Sequence, residues 1–229
     1  GFKHLTIRDN TGSPASAVLW IRSCVFYVGL ISITFIYGML AIFTFPIPYA
    51  KRYVVVSQWA HANLWWLKFT CNLDHQIEGW ENIPETPTIV LSKHQSAWET
   101  LALNLVFQPQ VWVLKRELLR IPVFGWGLAM LEPIAIDRHA KANAAEQVLI
   151  QGRVRLESGC WVVIFPEGTR VAAGTRRRYL VGGARLAQRT GYPVVPVAHN
   201  AGDYWARNSL IKRPGRIKLV VGPVIESKN

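Results

Sequence analysis

His94 and Glu99 stand five positions apart in the run His94-Gln95-Ser96-Ala97-Trp98-Glu99. A histidine with one ring nitrogen held by a carboxylate has a settled tautomer, and its other nitrogen is free to act as a base. An unperturbed imidazole pKa of ~6.5 suits such a base near neutrality. On a continuous helix this spacing would point the two side chains apart, because same-face neighbours are three or four residues apart. They meet if His94 lies in a strand-to-helix turn and Glu99 projects from the first helical turn, where the helix dipole also favours an acid.

Two further polar clusters carry chemistry, Asp137-Arg138-His139 and Glu167-Gly168-Thr169-Arg170. The guanidinium groups of Arg138 and Arg170 are planar, permanently charged forks that fit a phosphate monoester. Their plainer use is pairing with Asp137 or Glu167. Gly168 lets the backbone approach a ligand closely or simply serves a turn. His4, His61, His75 and His199 lack a comparable setting and read as structural. Cys24, Cys71 and Cys160 are widely spaced with no Cys-x-x-Cys, which speaks against a disulfide scaffold or a zinc site.

Each cluster follows a short apolar run: Thr88–Leu91, Pro133–Ile136 and Trp161–Phe165. Further strands are expected at Val111–Leu114, Val194–Ala198 and Ile217–Val221. Helices are expected at Ala97–Phe107, Lys115–Met130 (interrupted at Pro122 and Gly125), Ala140–Glu157 and Tyr179–Arg189. Continuous apolar strands separated by helices predict an α/β domain over residues 75–229, with a mainly parallel central sheet flanked by helices. Ligands in such sheets bind beyond the carboxyl ends of the strands. Parallel strands would therefore bring His94, Arg138 and Arg170 to one edge.

The chain of 229 residues is 50% hydrophobic and 17% charged, which excludes intrinsic disorder. Its net charge of +12 is concentrated late, residues 168–229 holding 12 Lys or Arg against 2 Asp or Glu. Acidic partners follow from that balance, and anionic lipid or a phosphorylated metabolite suits it better than nucleic acid, since no recognition helix or RNA-binding strand motif is present. Ser23 to Pro48 is free of charge. As a helix it would span about 39 Å, more than the ~30 Å hydrocarbon core of a bilayer. Tyr53–Leu73 is Trp-rich in the manner of interfacial segments. Residues 1–74 thus read as a membrane-associated helical region, either a span or an in-plane hairpin.

Together these residues resemble the glycerolipid acyltransferases, specifically the bacterial 1-acylglycerol-3-phosphate acyltransferases. The resemblance runs through most of residues 85–200 in four blocks. They are His94 to Glu99; Lys115-Arg116-Glu117-Leu118 through Ile121-Pro122-Val123-Phe124-Gly125 to Ile136-Asp137-Arg138; Phe165-Pro166-Glu167-Gly168-Thr169-Arg170; and Val194-Val195-Pro196-Val197. It implies a glycerol-3-phosphate acyltransferase-like fold behind a membrane-embedded helical motif. It also implies transfer of a fatty acyl chain from acyl-CoA or acyl-carrier protein to the sn-2 hydroxyl of lysophosphatidic acid, giving phosphatidic acid. His94 would be the general base and Glu99 its orienting carboxylate. Lys115, Arg138, Glu167, Gly168, Thr169 and Arg170 would hold the acceptor's glycerol phosphate. No metal, cofactor or covalent acyl-enzyme is implied. The expected location is the bacterial inner membrane, with the catalytic domain on the cytoplasmic side among membrane phospholipids. The chain departs from the family at Glu99, where Asp is usual. A different lyso-lipid acceptor, or a non-catalytic lipid-binding protein of the same fold, are the competing readings.

Overall fold

The structure, a computed structural model, describes residues 14–137 and 144–227. Two long helices come first, α1 (Pro14–Phe43) and α2 (Tyr49–Cys71). The apolar run to Pro48 is not one helix, because Pro46 and Pro48 cannot donate to a helical ladder and the chain turns back between Thr44 and Pro48. The two helices pair antiparallel. Arg22 Nε donates to Thr70 O at 2.6 Å near one end, and Trp59 Nε1 donates to Thr34 Oγ1 at 2.8 Å towards the other. Gly29 makes this approach possible, since a Cβ there would overlap the Trp66 indole. Asn72 closes α2 in the left-handed conformation, its N–H donating to Lys68 O.

One side of the pair joins the protein core through Phe26, Tyr53, Leu64 and Leu67. The opposite side leaves Val28 and Phe69 about two-thirds exposed, at 67% and 69%, with Ile31, Phe35, Phe43 and Trp65 beside them. Exposed apolar area forgoes roughly 25 cal/mol per Å², so a continuous face of this kind is consistent with membrane association. Among the described residues one helix, Ser16–Phe43, is long and apolar enough to cross a bilayer, with a mean hydropathy of 2.1.

The remainder is a seven-stranded sheet. Its strands are β1 (Leu73–Glu78), β2 (Ile89–Ser92), β3 (Gln110–Lys115), β4 (Ile134–Ile136), β5 (Trp161–Ile164), β6 (Val194–His199) and β7 (Gly215–Val221), ordered β1-β7-β6-β2-β5-β3-β4. The five strands β6, β2, β5, β3 and β4 run parallel, while β7 is antiparallel to β6 and parallel to β1. The central strands are buried on both faces, as their unbroken apolar sequences require. Helices α2 and α3 (Trp98–Val106) pack around one side of the core. On the other, α5 (Ala144–Glu157) and α6 (Gly182–Thr190) enclose Val148, Leu156, Leu186 and Ala187 with Ile89 and Val162. Two shorter helices are α4 (Phe124–Ala129) and α7 (Ala201–Tyr204).

The mainly parallel sheet expected from sequence is present, with local differences. β1 lies where no strand was anticipated, and the division expected after residue 74 falls within it. The helix expected across Lys115–Met130 is a 3₁₀ segment, Arg116–Arg120, followed by α4, because the Ile121-Pro122 step interrupts the ladder. α6 begins at Gly182, not Tyr179. Tyr179–Val181 are instead exposed, with Leu180 N–H tied back to Pro166 O at 2.7 Å.

Candidate active site

All five parallel strands end at one edge, where the His94–Glu99 and Glu167–Arg170 clusters gather. β2 is central, with β5 on one side and β6 on the other. The chain leaves β2 at Ser92 and turns through Lys93 and His94 before α3 begins at Trp98. His94 is therefore in the strand-to-helix turn and Glu99 in the first turn of α3, the arrangement expected to bring the two together. His94 Nδ1 lies 2.9 Å from Glu99 Oε1.

Glu99 has no solvent exposure. Its Oε1 also accepts from Gln95 N–H and Ser96 N–H, both at 2.8 Å, and Oε2 accepts from Ser96 N–H at 3.1 Å. A carboxylate, which only accepts, matches this ring of donors at the start of α3, where backbone N–H groups have no partner within the helix. With Nδ1 donating to Glu99, the Nε2 of His94 is the nitrogen left to take a proton. The imidazole face stacks on Phe165, with ring centroids 4.1 Å apart and planes inclined by 17°.

The Pro166–Thr169 turn follows β5 directly and is bonded to the same loop. Glu167 has a fully buried side chain that accepts from His94 N–H at 2.7 Å and pairs with Lys93 Nζ. Both of its carboxylate oxygens are thus engaged within the protein, so the structure turns Glu167 inward as a brace for the His94 loop. Gly168 adopts φ +68°, and a Cβ there would lie 2.6 Å from Leu180 Cδ1. The left-handed backbone and the close approach both call for glycine. Beyond Thr169 and Arg170 the chain returns to the histidine, where Val171 N–H donates to His94 O at 2.7 Å. The carbonyl of Arg170 accepts from Arg207 at 2.8 Å.

His94, Glu99, Glu167, Gly168, Thr169 and Arg170 form one cluster. Lys115 closes β3 on the same edge, exposed and two strands from β2, about 10 Å laterally at ~4.8 Å per strand. Arg138 lies outside the described residues, while Asp137 beside it follows β4 at this edge. Among the described residues, no group of three or more His, Cys, Asp or Glu could hold a metal ion.

Three residues at the site were not singled out by sequence reasoning. Phe165 opens one of the quoted blocks and Lys93 immediately precedes another, but both acquire roles only through packing across strands. His199 ends β6 with a fully buried side chain, its Nε2 2.9 Å from Lys93 O and 3.9 Å from Glu99 Oε2. Nothing in its local sequence separates it from a core histidine.

The family model described as Acyltransferase matches residues 74–200. The 1-acyl-sn-glycerol-3-phosphate acyltransferase of Pseudomonas aeruginosa is 45% identical over 215 residues, covering 93% of this chain and 84% of that protein. The enzyme of the same name from Saccharomyces cerevisiae is 30% identical over 149 residues, covering 62% of this chain and 48% of the yeast protein. The crystal structure of the 1-acyl-sn-glycerophosphate (LPA) acyltransferase PlsC from Thermotoga maritima superposes with a TM-score of 0.74 at 22% identity, covering 91% of this chain and 86% of that one. That last likeness speaks to the fold, a PlsC-like α/β architecture. Taken with the His94–Glu99 pair and the Pro166–Thr169 turn braced against it, these matches place the chain in the acyltransferase family, among the 1-acyl-sn-glycerol-3-phosphate O-acyltransferases.

Proposed function

We propose that the protein transfers a fatty acyl chain from acyl-CoA or acyl-carrier protein to the sn-2 hydroxyl of lysophosphatidic acid, releasing phosphatidic acid and a free thiol. The observation that carries this reading is the bond between His94 N–H and Glu167 at 2.7 Å, which joins the imidazole base to the turn bearing Gly168, Thr169 and Arg170. His94 Nε2 takes the proton of the acceptor hydroxyl as its oxygen attacks the thioester carbonyl. The tetrahedral intermediate then expels the thiolate, which recovers that proton from the imidazolium. Glu99 holds Nδ1–H and offsets the positive charge that His94 gains. This chemistry calls for no metal, cofactor or acyl-enzyme, because the thioester supplies its own leaving group.

Arg170 and Arg138 hold the acceptor phosphate, with Lys115 at its margin. The backbone at Gly168 and the Thr169 hydroxyl face the glycerol. Glu167 acts through Lys93 and His94 and does not touch the substrate, since a carboxylate beside the phosphate would repel it. A substrate with a charged head and apolar chains reaches such a site from a membrane surface. The exposed side of α1 and α2 supplies that contact, at the cytoplasmic face of the bacterial inner membrane. Purified protein in vesicles, supplied with acyl-CoA or acyl-carrier protein, is expected to release thiol with lysophosphatidate in preference to lysophosphatidylcholine and lysophosphatidylethanolamine. Equal rates with all three acceptors would remove the phosphate monoester from the assignment.

A further inference from the structure

A buried histidine must satisfy both ring nitrogens, and the partners of His199 settle how. Ala201 N–H points at His199 Nδ1 from 3.3 Å, so Nδ1 is the acceptor. The proton therefore sits on Nε2, directed at Lys93 O 2.9 Å away, with Glu99 Oε2 on the same side at 3.9 Å. Lys93 O and His94 N–H belong to one peptide group. Its carbonyl is held by His199 from β6, and its N–H is held by Glu167 from the segment after β5 at 2.7 Å. The peptide immediately before the base is thus gripped at both ends, by side chains from β6 and from the turn that follows β5, the two strands flanking β2. Neither residue touches the solvent-facing nitrogen of His94.

We infer that His199 is a positioning residue for the acyl transfer: through Nε2–H it holds the Lys93–His94 peptide and stands behind Glu99, so that His94 Nδ1–H stays aimed at the carboxylate and Nε2 at the substrate. The inference rests on the proposed function, in which His94 Nε2 is the base. Trp98 packs edge-on to the His199 ring at 6.0 Å and confines it to this orientation.

The variants His199→Leu and His199→Gln test this. Leu removes the donor and keeps an apolar filling, whereas the Gln amide can reach the Lys93 carbonyl. Loss of the hydrogen bond and of alignment is expected to lower kcat of His199→Leu about 10- to 100-fold, with KM for lysophosphatidate within about 2-fold. His199→Gln should recover most of the rate at a melting temperature comparable to that of His199→Leu. Nitrogen-15 imidazole spectra of the wild-type protein should report His199 protonated at Nε2 and His94 at Nδ1, with the single His94 tautomer lost in His199→Leu. Wild-type kcat in His199→Leu, no recovery with Gln, or a wild-type His199 protonated at Nδ1 would each overturn the inference. Absence of transfer by the wild-type protein would instead remove the proposed function, while the spectra still decide the tautomers.

Discussion

Replacing Glu99 by Gln changes almost no volume and removes one negative charge from beneath the base. In the structure that charge lies 2.9 Å from His94 Nδ1 and accepts from two backbone N–H groups. In the proposed reaction His94 takes the substrate proton and becomes an imidazolium. Two unit charges ~4 Å apart at an effective dielectric of 20 interact by about 4 kcal/mol. A hydrogen bond to a charged partner is worth about 1.5–3 kcal/mol net. A Gln oxygen still accepts from Nδ1–H, so the loss falls between these limits, at about 3 kcal/mol. At 1.36 kcal/mol per decade this lowers kcat roughly 100- to 1000-fold. Glu99→Asp keeps the charge and withdraws it by about one C–C bond, ~1.5 Å. The charge stays within a few ångströms of the imidazolium, so a drop of about 10-fold is expected. The assay is thiol release from acyl-CoA with saturating lysophosphatidate, beside melting curves, because the amide nitrogen of Gln would face the Ser96 N–H that Oε2 now accepts. A Glu99→Gln enzyme as fast as Glu99→Asp, at equal folded fraction, would remove Glu99 from the mechanism.

Arg170→Ala should raise KM for lysophosphatidate at least about 10-fold, the loss of one charge-assisted phosphate contact, with kcat and the donor KM little changed; acceptor titrations check this. Gly168→Ala forces an L side chain to φ +68° and onto Leu180. The backbone cost of about 1–2 kcal/mol should lower the melting temperature by roughly 3–6 °C, and Leu180→Ala in the same chain should relieve only the steric part. Lys212 is fully buried, with Nζ bonded to Tyr27 OH, Ser209 O and Leu210 O, and burial lowers its pKa to about 8 from an ordinary 10.5. Between those values the unfolded chain holds the proton and the folded one does not, so its contribution to stability rises with pH from about 8 to 10.5 and is lost as pH falls back through 8. Melting temperatures from pH 7 to 10.5 should show that rise relative to Lys212→Met.

The parallel block was legible because β2, β5 and β6 are apolar on both faces, and each leads to a polar turn at the same end. β1 was not, because Leu73-Asp74-His75-Gln76-Ile77-Glu78 alternates weakly and its partner is β7 at the far end of the chain, Leu73 opposite Gly215. The turn at Pro46 and Pro48 was visible in composition, yet only the packing of Trp59 and Trp66 on α1 decides that the chain folds back there. At the site, the His94–Glu99 spacing suggested its own geometry, since a continuous helix would separate the pair and a turn before a helix joins it. Glu167 was legible as part of a motif but not in its direction. Its inward orientation follows from Lys93 and His94 in the turn after the neighbouring strand, a pairing of residues some seventy positions apart. His199 was hidden for the same reason.

The central claim is that His94 removes the acceptor's proton at a site shared with the Pro166–Thr169 turn. Comparing thiol release by the wild-type protein and His94→Ala in vesicles, with and without lysophosphatidate, tests it most directly. The account predicts acceptor-dependent release by the wild type and a loss of at least ~100-fold in kcat for His94→Ala, with folding and vesicle binding retained. A His94→Ala protein that still forms phosphatidate at more than a tenth of the wild-type rate would contradict it.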